Sequence, residues 1–570
     1  MLGCAKGSIE YLIGDKKIIK TWKGFDFPEL EGLKITGKIQ GYTSMLTLTP
    51  SDTDNPPIIN HLDWEIPFTF TPKDRIFLNG YQSWTDSRER FPNEAFRSVP
   101  PLGRLLNPIF KFAISGDYDF LKTSPRKGDF HGFTYGYVRP AGSDRIIFLG
   151  SLSEKEGFTI IRTSVIDSCI RISWDCGGLV LNRSRQVLEL FTDQGEEEEV
   201  FNTWFKAMDI EPPEARPSIG WTSWYNYYQN INEEIILKNL EGFGDRNLTI
   251  DTFQIDDGFQ TRVGDWLSID HDKFPRELSP LVKQIHGAGL KAGLWLAPFG
   301  AEKRSELVKN HPDWILKNRN GKRVWGGGNW GGFYALDIYN KGFRSYLKEV
   351  FSTILDRWHF DMVKLDFLYA ACLAPPPDKT RGEVMADGMK LLRELVGSKS
   401  ILGCGVPLGS AFGMVEYCRI GCDISLDWDN RMAKPYDSRE GVSTRNGLGN
   451  ALGRRHLDGR AFLNDPDVFL LREDNIKMTA REKNTLFQVN SLTGSLIFTS
   501  DEVAVYDDDK ISAFNALSTS REILHLKQEG DIYKLKFLEG RKEKLMVVNL
   551  SDEEYRDGDI LLAPRETKVI

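Results

Sequence analysis

Cysteine is scarce in this sequence, and the few positions it occupies exclude a disulfide framework. The seven cysteines are odd in number, scattered, and without the paired C-x-x-C spacing of a zinc site, as expected of reduced thiols. Long apolar runs are missing as well. The first residues contain none that would serve as a signal peptide, and no later segment approaches the roughly 20 apolar residues that span a bilayer. We therefore expect a cytoplasmic protein with no membrane partner.

An excess of basic charge and closely paired histidines are also missing. The net charge of −8 argues against a phosphate-binding surface and so against nucleic acid as a partner. The eight histidines show no H-x-H or H-E-x-x-H spacing, which argues against a metal-dependent hydrolase. We expect no metal and no cofactor. The sequence does have the composition of a globular protein, with 41% hydrophobic and 27% charged residues.

Two changes of pattern divide the 570 residues into three predicted domains. Residues 1–212 show short alternating runs between Gly, Pro, Asn and Asp clusters, which predicts an N-terminal β-sandwich. Residues 213–520 alternate strand and helix through eight strands, which predicts a (β/α)8 catalytic barrel. Residues 521–570 return to alternating strands and predict a small C-terminal antiparallel β domain. The acid string Glu196–Glu199 reads as the solvated start of a helix.

One predicted strand, "FDMVKLDFLYA", is hydrophobic yet carries Lys364 and Asp366 on the same face, two residues apart. In a (β/α)8 barrel the reacting groups stand at the C-terminal ends of strands. The residues at the predicted ends are acids, two cations and aromatics: Trp224, Tyr225, Asp256, Asp257, Trp295, Lys364, Asp366, Arg419 and Asp423. Carboxylates hydrogen-bond hydroxyls, indoles stack on pyranose rings, and two acids can break a glycosidic bond, so this set predicts a sugar site.

Each of these residues also has a plain structural explanation. A single acid at a strand end is often the N-cap of the next helix, and a lysine two residues from an aspartate can be a structural ion pair. The coincidence of so many at one rim favours function, because random placement would spread acids over both ends of a barrel.

Several stretches resemble, in chain order, the motif series of glycoside hydrolase family 36, the melibiase-type α-galactosidases. They are "GWTSWYNYY", "FQIDDGFQ", "GLWLAPF", "VKLDFL", "ILGCGVPL", "RIGCDIS" and "FLNDPD". "LNGYQSW", at Leu78–Trp84, resembles a motif of that family's N-terminal β-domain. The resemblance implies a (β/α)8 domain between β-domains, an α-galactoside oligosaccharide as substrate, and double displacement with retention of configuration.

The resemblance also implies the catalytic pair. The K-x-D of the fourth strand makes Asp366 the nucleophile, and the R-x-x-x-D of the sixth makes Asp423 the general acid/base. We expect Lys364 to lower the pKa of Asp366 and to bind a sugar hydroxyl, since a nearby cation favours the ionised carboxylate. Arg419 is expected to bind the sugar or to hold Asp423 in place.

The remaining site residues are expected to bind the substrate. Asp256 and Asp257 resemble the pair that grips O4 and O6 of a galactose-like sugar. Trp224, beside Tyr225, and Trp295 would line the −1 pocket, and Cys404 would lie near O2. The loops "GGGNWGGFYALD", around Trp330, and "NRMAKPYDSREG", 430–441, would shape the aglycone side.

Trp84 lies far from the predicted barrel in sequence, and a core tryptophan of the sandwich is the plain explanation. However, Asn79, Gly80 and Gln82 make "NGYQSW" a turn, and turns are where a sandwich presents binding residues. We therefore predict that Trp84 packs against the sugar, in its own chain or in a neighbouring subunit of a homo-oligomer, a state that the sequence leaves open.

Three other functions remain as alternatives. An α-N-acetylgalactosaminidase and a galactosyl transferase of the raffinose-synthase type would share every acid named above. A non-catalytic sugar-binding protein is the least favoured, because both predicted catalytic acids, Asp366 and Asp423, are present.

Overall fold

The computed structural model describes residues 2–96, 105, 114–429, 438–517 and 521–570. Most of the loop predicted at 430–441, namely 430–437, lies outside these residues. Among the residues described, no helix is long and apolar enough to cross a membrane.

Thirteen strands occupy the described part of the chain before residue 197. They are β1 (Lys6–Ile13), β2 (Lys16–Lys23), β3 (Leu33–Gln40), β4 (Thr43–Pro50), β5 (Ile58–Pro67), β6 (Arg75–Leu78), β7 (Asp129–Phe133), β8 (Tyr135–Arg139), β9 (Arg145–Ser151), β10 (Thr159–Ser164), β11 (Cys169–Trp174), β12 (Leu179–Val180) and β13 (Arg185–Glu196).

These strands form two antiparallel sheets with one apolar core between them. The first has the order β2–β1–β5–β11–β10–β7, with β12 beside β5, and the second has the order β3–β4–β13–β9–β8–β6. Alternation puts every second side chain inward. Tyr11 and Trp64 of the first sheet and Leu46 and Leu48 of the second are accordingly buried in the same cluster.

Twelve more strands lie between residues 218 and 499. They are β14 (Ser218–Thr222), β15 (Thr252–Ile255), β16 (Lys291–Leu296), β17 (Gly300–Glu302), β18 (Trp325–Gly327), β19 (Phe333–Ala335), β20 (Met362–Leu365), β21 (Ser400–Gly403), β22 (Tyr417–Arg419), β23 (Leu463–Asp465), β24 (Val468–Phe469) and β25 (Leu496–Thr499). Strands β17, β19 and β18 form a small antiparallel sheet of their own.

Eleven α-helices occur among the described residues. They are α1 (Glu197–Ala207), α2 (Trp224–Tyr227), α3 (Glu233–Asp245), α4 (Ser279–Gly287), α5 (Glu306–Asn310), α6 (Lys341–Ser352), α7 (Arg381–Val396), α8 (Leu408–Ala411), α9 (Thr444–Gly453), α10 (Ala480–Thr493) and α11 (Asp508–Asn515). A π-helical turn, Thr353–Arg357, extends α6.

The other nine strands of this region form one parallel sheet that curls back on itself. Its order is β23–β22–β21–β20–β16–β15–β14–β25–β24. The two ends of this order, β23 and β24, are separated in the chain only by Pro466 and Asp467. Because neighbouring strands are parallel, their C-terminal ends meet at one rim, where side chains from distant parts of the sequence come together.

The last six strands are β26 (Arg521–Glu529), β27 (Ile532–Glu539), β28 (Lys542–Asn549), β29 (Tyr555–Asp557), β30 (Ile560–Leu562) and β31 (Thr567–Val569). Strands β26, β27, β28 and β31 form an antiparallel sheet, and β29 pairs with β30.

The acid string at the start of α1 corrects one prediction. Glu197 is buried rather than solvated. Its carboxylate forms ion pairs with Arg139 at 3.0 Å and Arg455 at 2.7 Å, and lies 2.7 Å from Nε2 of His456. The prediction was wrong for Glu197, because the residues that stabilise its buried charge, Arg139, Arg455 and His456, lie in distant parts of the sequence.

Candidate active site

A cavity of about 580 Å³ opens at the C-terminal rim of the parallel sheet. Its lining combines carboxylates, tryptophans and glycines from that sheet with residues of the N-terminal region. The lining residues are Trp84, Ile114, Ser115, Trp224, Asp256, Asp257, Trp295, Gly327, Gly328, Asn329, Trp330, Lys364, Asp366, Phe367, Tyr369, Asp423, Ser438, Glu440, Gly441 and Val442. Five carboxylates against one lysine suit an uncharged, hydroxyl-rich ligand better than an anionic one.

The structure brings most of the sequence-predicted residues to this cavity. Those in its wall are Trp84, Trp224, Asp256, Asp257, Trp295, Lys364, Asp366 and Asp423. Tyr225, Cys404 and Arg419 are not in the wall. All three are buried directly behind it, in contact with residues that line it or that hold its lining.

Asp366 follows β20 and is held from two directions. Trp295 Nε1 donates to its Oδ2 across 3.1 Å, and the backbone N–H of Phe367 donates to its Oδ1 across 2.8 Å. Phe367 adopts the left-handed backbone conformation, with φ at 54°. Non-glycine residues in that region are uncommon and concentrate at functional sites. The carboxylate is therefore fixed in direction before any ligand binds.

Lys364 lowers the pKa of Asp366 as expected, but the net shift of that pKa is upward. Burial raises the pKa of Asp366, Lys364 opposes that effect, and the neighbouring Asp423 raises it further. Desolvation outweighs the cation because the carboxylate is almost fully buried. Lys364 forms its own ion pair with Asp256, across 2.9 Å.

Asp423 is the more open of the two predicted catalytic acids, with 38% of its side chain exposed. Arg419 Nη1 donates to its Oδ1 across 2.9 Å. The same guanidinium binds Asp465 and Asp467, each across 3.0 Å, and is itself buried. Of the two roles considered for Arg419, these contacts match the one that holds Asp423 in place.

Asp467, which lies between β23 and β24, helps to hold Arg419 in place. Asp467 lies in the gap with φ at 82°, and its Oδ2 accepts hydrogen bonds from the Tyr225 hydroxyl and from the backbone N–H of Ile424. Burial raises the pKa of Asp467 to about 7; Arg419 opposes this effect, and Asp423 adds to it. Tyr225 thus contacts the support of Asp423 rather than the cavity.

Asp256 and Asp257 end β15 on the far side of the rim. Asp256 accepts from Lys364 and, across 2.7 Å, from Gln254. Asp257 accepts from Gln260 across 2.6 Å and from Trp330 Nε1 across 2.8 Å. Burial raises the pKa of Asp257, and the hydrogen bond from Gln260 lowers it. Both carboxylates face the cavity with their directions already set.

Sequence reasoning did not assign Trp330 a place in the wall. It lies in the glycine-rich loop with φ at 56° and packs edge-on against Trp295, 5.9 Å between ring centroids. Neither periodicity nor a strand end marks it. The only signal is a lone tryptophan in a run of glycines.

Trp84 lies in the cavity wall of its own chain. Its Nε1 donates to Cys404 Sγ across 3.3 Å, and its ring packs edge-on against Phe367 at 5.2 Å. Gly405, with φ at 57°, permits this approach, because a Cβ there would lie 2.9 Å from the indole. The turn that carries Trp84 is stabilised by Arg454, whose guanidinium donates to the backbone carbonyls of Gln82 and Ser83.

Within the residues described, His, Cys, Asp and Glu side chains form no group of three or more that could hold a metal ion.

Comparison with known proteins finds similarity to one family model and to several named α-galactosidases. The Melibiase family model matches residues 201–375. Alpha-galactosidase 1 of Pediococcus pentosaceus is 31% identical over 152 residues, which are 24% of this chain and 20% of that protein. Alpha-galactosidase AgaA of Geobacillus stearothermophilus is 29% identical over 170 residues, 28% of this chain and 22% of that protein. The aligned segments thus span about a fifth of these curated relatives.

Solved structures match over more of the chain. The α-galactosidase TtGalA of Thermus thermophilus, in complex with p-nitrophenyl α-D-galactopyranoside, has a TM-score of 0.69 and 26% identity, covering 90% of this chain and 98% of that one. The AgaA structure has a TM-score of 0.60 with 13% identity, covering 99% and 88%, and so shows likeness of fold alone.

Proposed function

We propose that the chain is a melibiase-type α-galactosidase, which releases terminal non-reducing α-galactose from melibiose- and raffinose-type oligosaccharides with retention of configuration. One observation carries the proposal. Asp366 and Asp423 open onto the same cavity as the Asp256–Asp257 pair, so two acids for bond cleavage face two acids for sugar recognition.

In the proposed mechanism Asp366 attacks the anomeric carbon while Asp423 gives its proton to the departing glycosidic oxygen. The bond to the aglycone breaks as the bond to the carboxylate forms. Asp423 then takes a proton from water, whose oxygen attacks the same carbon and releases Asp366. Two inversions restore the α configuration. Trp295 and the Phe367 N–H keep Asp366 aimed at that carbon through both steps.

Galactose recognition is assigned to the β15 side of the rim. The axial O4 of galactose points out of the ring plane, where Asp256 or Asp257 can accept its hydrogen bond. The equatorial O4 of glucose would not reach that carboxylate, and the hydrogen bond lost would cost about 1–3 kcal/mol. Lys364 and Trp330 donate to these carboxylates and keep their lone pairs directed inward.

The curled parallel sheet supports a finer description of the fold. Only Pro466 and Asp467 separate β23 from β24, and we propose that they are parts of one interrupted strand. The sheet would then be a closed (β/α)8 barrel, 213–520, between an N-terminal β-sandwich, 1–212, and a C-terminal β domain, 521–570. A cytoplasmic location remains part of the proposal.

A substrate panel tests the function. The protein should hydrolyse 4-nitrophenyl α-galactoside faster than the matching α-glucoside, β-galactoside and N-acetyl-α-galactosaminide, and NMR should show α-galactose as the first product. Preference for the N-acetyl sugar would make it an α-N-acetylgalactosaminidase, and galactosyl transfer to sucrose exceeding hydrolysis would make it a transferase. Binding of galactosides without turnover of any of them would contradict catalysis.

A further inference from the structure

Glu440, in the segment that follows β22, lines the cavity. It belongs to the 430–441 loop that the sequence placed on the aglycone side, although no pattern singled out this residue within the loop. Its Oε1 accepts a hydrogen bond from the Thr85 hydroxyl across 2.8 Å, and its Oε2 accepts one from the Tyr118 hydroxyl across 3.1 Å. Both donors belong to the N-terminal region. The carboxylate of Glu440 is therefore held by two residues that lie far from it in the sequence. The residue as a whole is only 7% exposed.

The segment around Glu440 is anchored as firmly as the catalytic acids. The neighbouring Arg439 places its guanidinium on Asp117, 3.1 Å from each carboxylate oxygen, and its backbone carbonyl accepts from the N–H of Asp86 across 3.0 Å. Gly116 makes room for the Tyr118 ring and for the carboxylate, because a Cβ there would overlap the ring and lie 2.9 Å from Oε2 of Glu440. A carboxylate held this closely has one orientation toward the cavity.

Glu440 lies on the side of the cavity from which the aglycone must leave. Asp423 protonates the glycosidic oxygen, so the departing group lies beside Asp423. The backbone N–H of Ser443 donates to the Asp423 carbonyl across 3.0 Å, which joins the 438–442 segment to the acid/base. The galactose-gripping acids end β15, four places from β22 in the sheet order and thus across the rim.

The chemistry of this position suits a sugar hydroxyl. An ionised carboxylate offers about four lone-pair sites, and the Thr85, Tyr118 and Ser438 hydroxyls use three of them, which leaves one for a ligand. Val442, 42% exposed and also in the wall, adds an apolar surface. The carboxylate can accept a hydrogen bond from a hydroxyl at the edge of a pyranose ring, while the apolar side chain packs against the face of the ring.

We propose that Glu440 is a specificity-determining residue of an aglycone subsite, where it accepts a hydrogen bond from a hydroxyl of the leaving sugar. The enzyme would thereby select oligosaccharides over galactosides of apolar alcohols. This inference rests on the proposed α-galactosidase function, since it names the aglycone side by the position of the acid/base.

The test compares kcat/KM for melibiose with kcat/KM for 4-nitrophenyl α-galactoside, whose aglycone has no hydroxyl to donate once it is bonded. In Glu440→Ala this ratio should fall about tenfold, the loss expected for one hydrogen bond to a charged group. Glu440→Gln should give a smaller fall, because its amide oxygen is a weaker acceptor. Gly116→Ala should also lower the ratio, because its Cβ would displace the Tyr118 ring, whose hydroxyl donates to the intact carboxylate.

Glu154→Ala is the matched control. Glu154 is a buried carboxylate that accepts from the Thr134 hydroxyl but lies outside the cavity wall, so its loss should leave the ratio as in wild type. If Glu440→Ala does not fold, Glu440→Gln and Gly116→Ala decide the question. An equal loss on both substrates, or a constant ratio, overturns the inference. Wild-type protein inactive on the nitrophenyl substrate would instead overturn the proposed function.

Discussion

Lys364 binds the carboxylate of Asp256 across 2.9 Å, while Asp366, two residues further along the chain and just after β20, accepts a hydrogen bond from the indole N–H of Trp295. One buried cation therefore orients an acid of the sugar-gripping pair directly and acts on the proposed nucleophile only through the electrostatic field. Its effect on the Asp366 pKa opposes that of burial without cancelling it.

Removal of this cation should move the acid limb of the pH profile. In Lys364→Met the pKa of Asp366 loses its main lowering influence and rises further. Because attack needs the ionised carboxylate, the acid limb of kcat/KM for 4-nitrophenyl α-galactoside should shift to higher pH. KM should also rise, since Asp256 loses its partner. Lys364→Arg, which keeps the charge, serves as the control, and an unmoved limb in the Met variant would contradict the assignment.

The two acids should respond differently to the leaving group. Asp366→Ala should abolish turnover of all α-galactosides, and azide should restore a reaction that yields β-galactosyl azide. Asp423→Ala should slow melibiose far more than activated nitrophenyl galactosides, because only the former needs protonation. Azide should then give the α product, by attack on the glycosyl-enzyme. Identical behaviour of the two variants across leaving groups would refute the roles.

Trp84 should contribute binding rather than chemistry. Its ring lies in the cavity wall, packed edge-on against Phe367. Trp84→Ala should raise KM about tenfold, equivalent to about 1.4 kcal/mol, without lowering the melting temperature of the barrel greatly. Trp84→Phe keeps an aromatic face but loses the hydrogen bond to Cys404, and its KM should lie between those of wild type and Trp84→Ala. A KM equal to that of wild type in the Ala variant would exclude contact with the sugar.

Glu198 should make stability depend on pH in the acid range. Burial raises the pKa of Glu198, but His456 and Arg460 lower it by more, to about 2. The value for an unfolded chain is about 4.3. A lowered carboxylate pKa adds stability that is complete above the unfolded value and is lost as pH falls toward 2. The melting temperatures of wild type and Glu198→Gln should therefore converge between pH 5 and 2.5, and a difference independent of pH would contradict the assignment.

Arg454 should be required for stability although it contacts no ligand. Its fully buried guanidinium donates to Asn79 Oδ1, to the Ile420 carbonyl and to the Trp84 turn, and burial lowers its pKa to about 10. Arg454→Met would leave several buried acceptors unpaired, each costing about 1–3 kcal/mol. Urea unfolding should show a loss of at least about 2 kcal/mol. A Met variant as stable as wild type would mean that water replaces the guanidinium.

The sequence located the residues that stand at strand ends. Asp256, Asp257, Trp295 and Asp366 could be placed together from their positions alone, because parallel strands bring their C-terminal ends to one rim. Tyr225 could not be separated from Trp224 in this way. A helix begins at Trp224, so adjacent side chains point in different directions, and only Trp224 reaches the cavity.

The rest depends on contacts between distant segments. Glu440 touches Thr85, 355 residues away, and no local pattern encodes such a contact. The net direction of the Asp366 pKa could not be read from Lys364 either, since the outcome depends on how completely the fold removes water from the carboxylate. Burial of Glu197 has the same origin.

The cavity has a floor of strand ends and a roof made by the Trp84 turn and the 438–442 segment, and these two parts are inherited as separate stretches of sequence. Substitutions in the roof can accumulate without changing Asp366 or Asp423, the proposed catalytic pair. A mutant library confined to the roof residues that line the cavity should therefore yield more active clones with altered substrate preference than a library of the same size at the strand ends. These residues are Trp84, Ile114, Ser115, Ser438, Glu440, Gly441 and Val442. Under the proposed function, the preference for one oligosaccharide over another would be the property most readily changed by mutation.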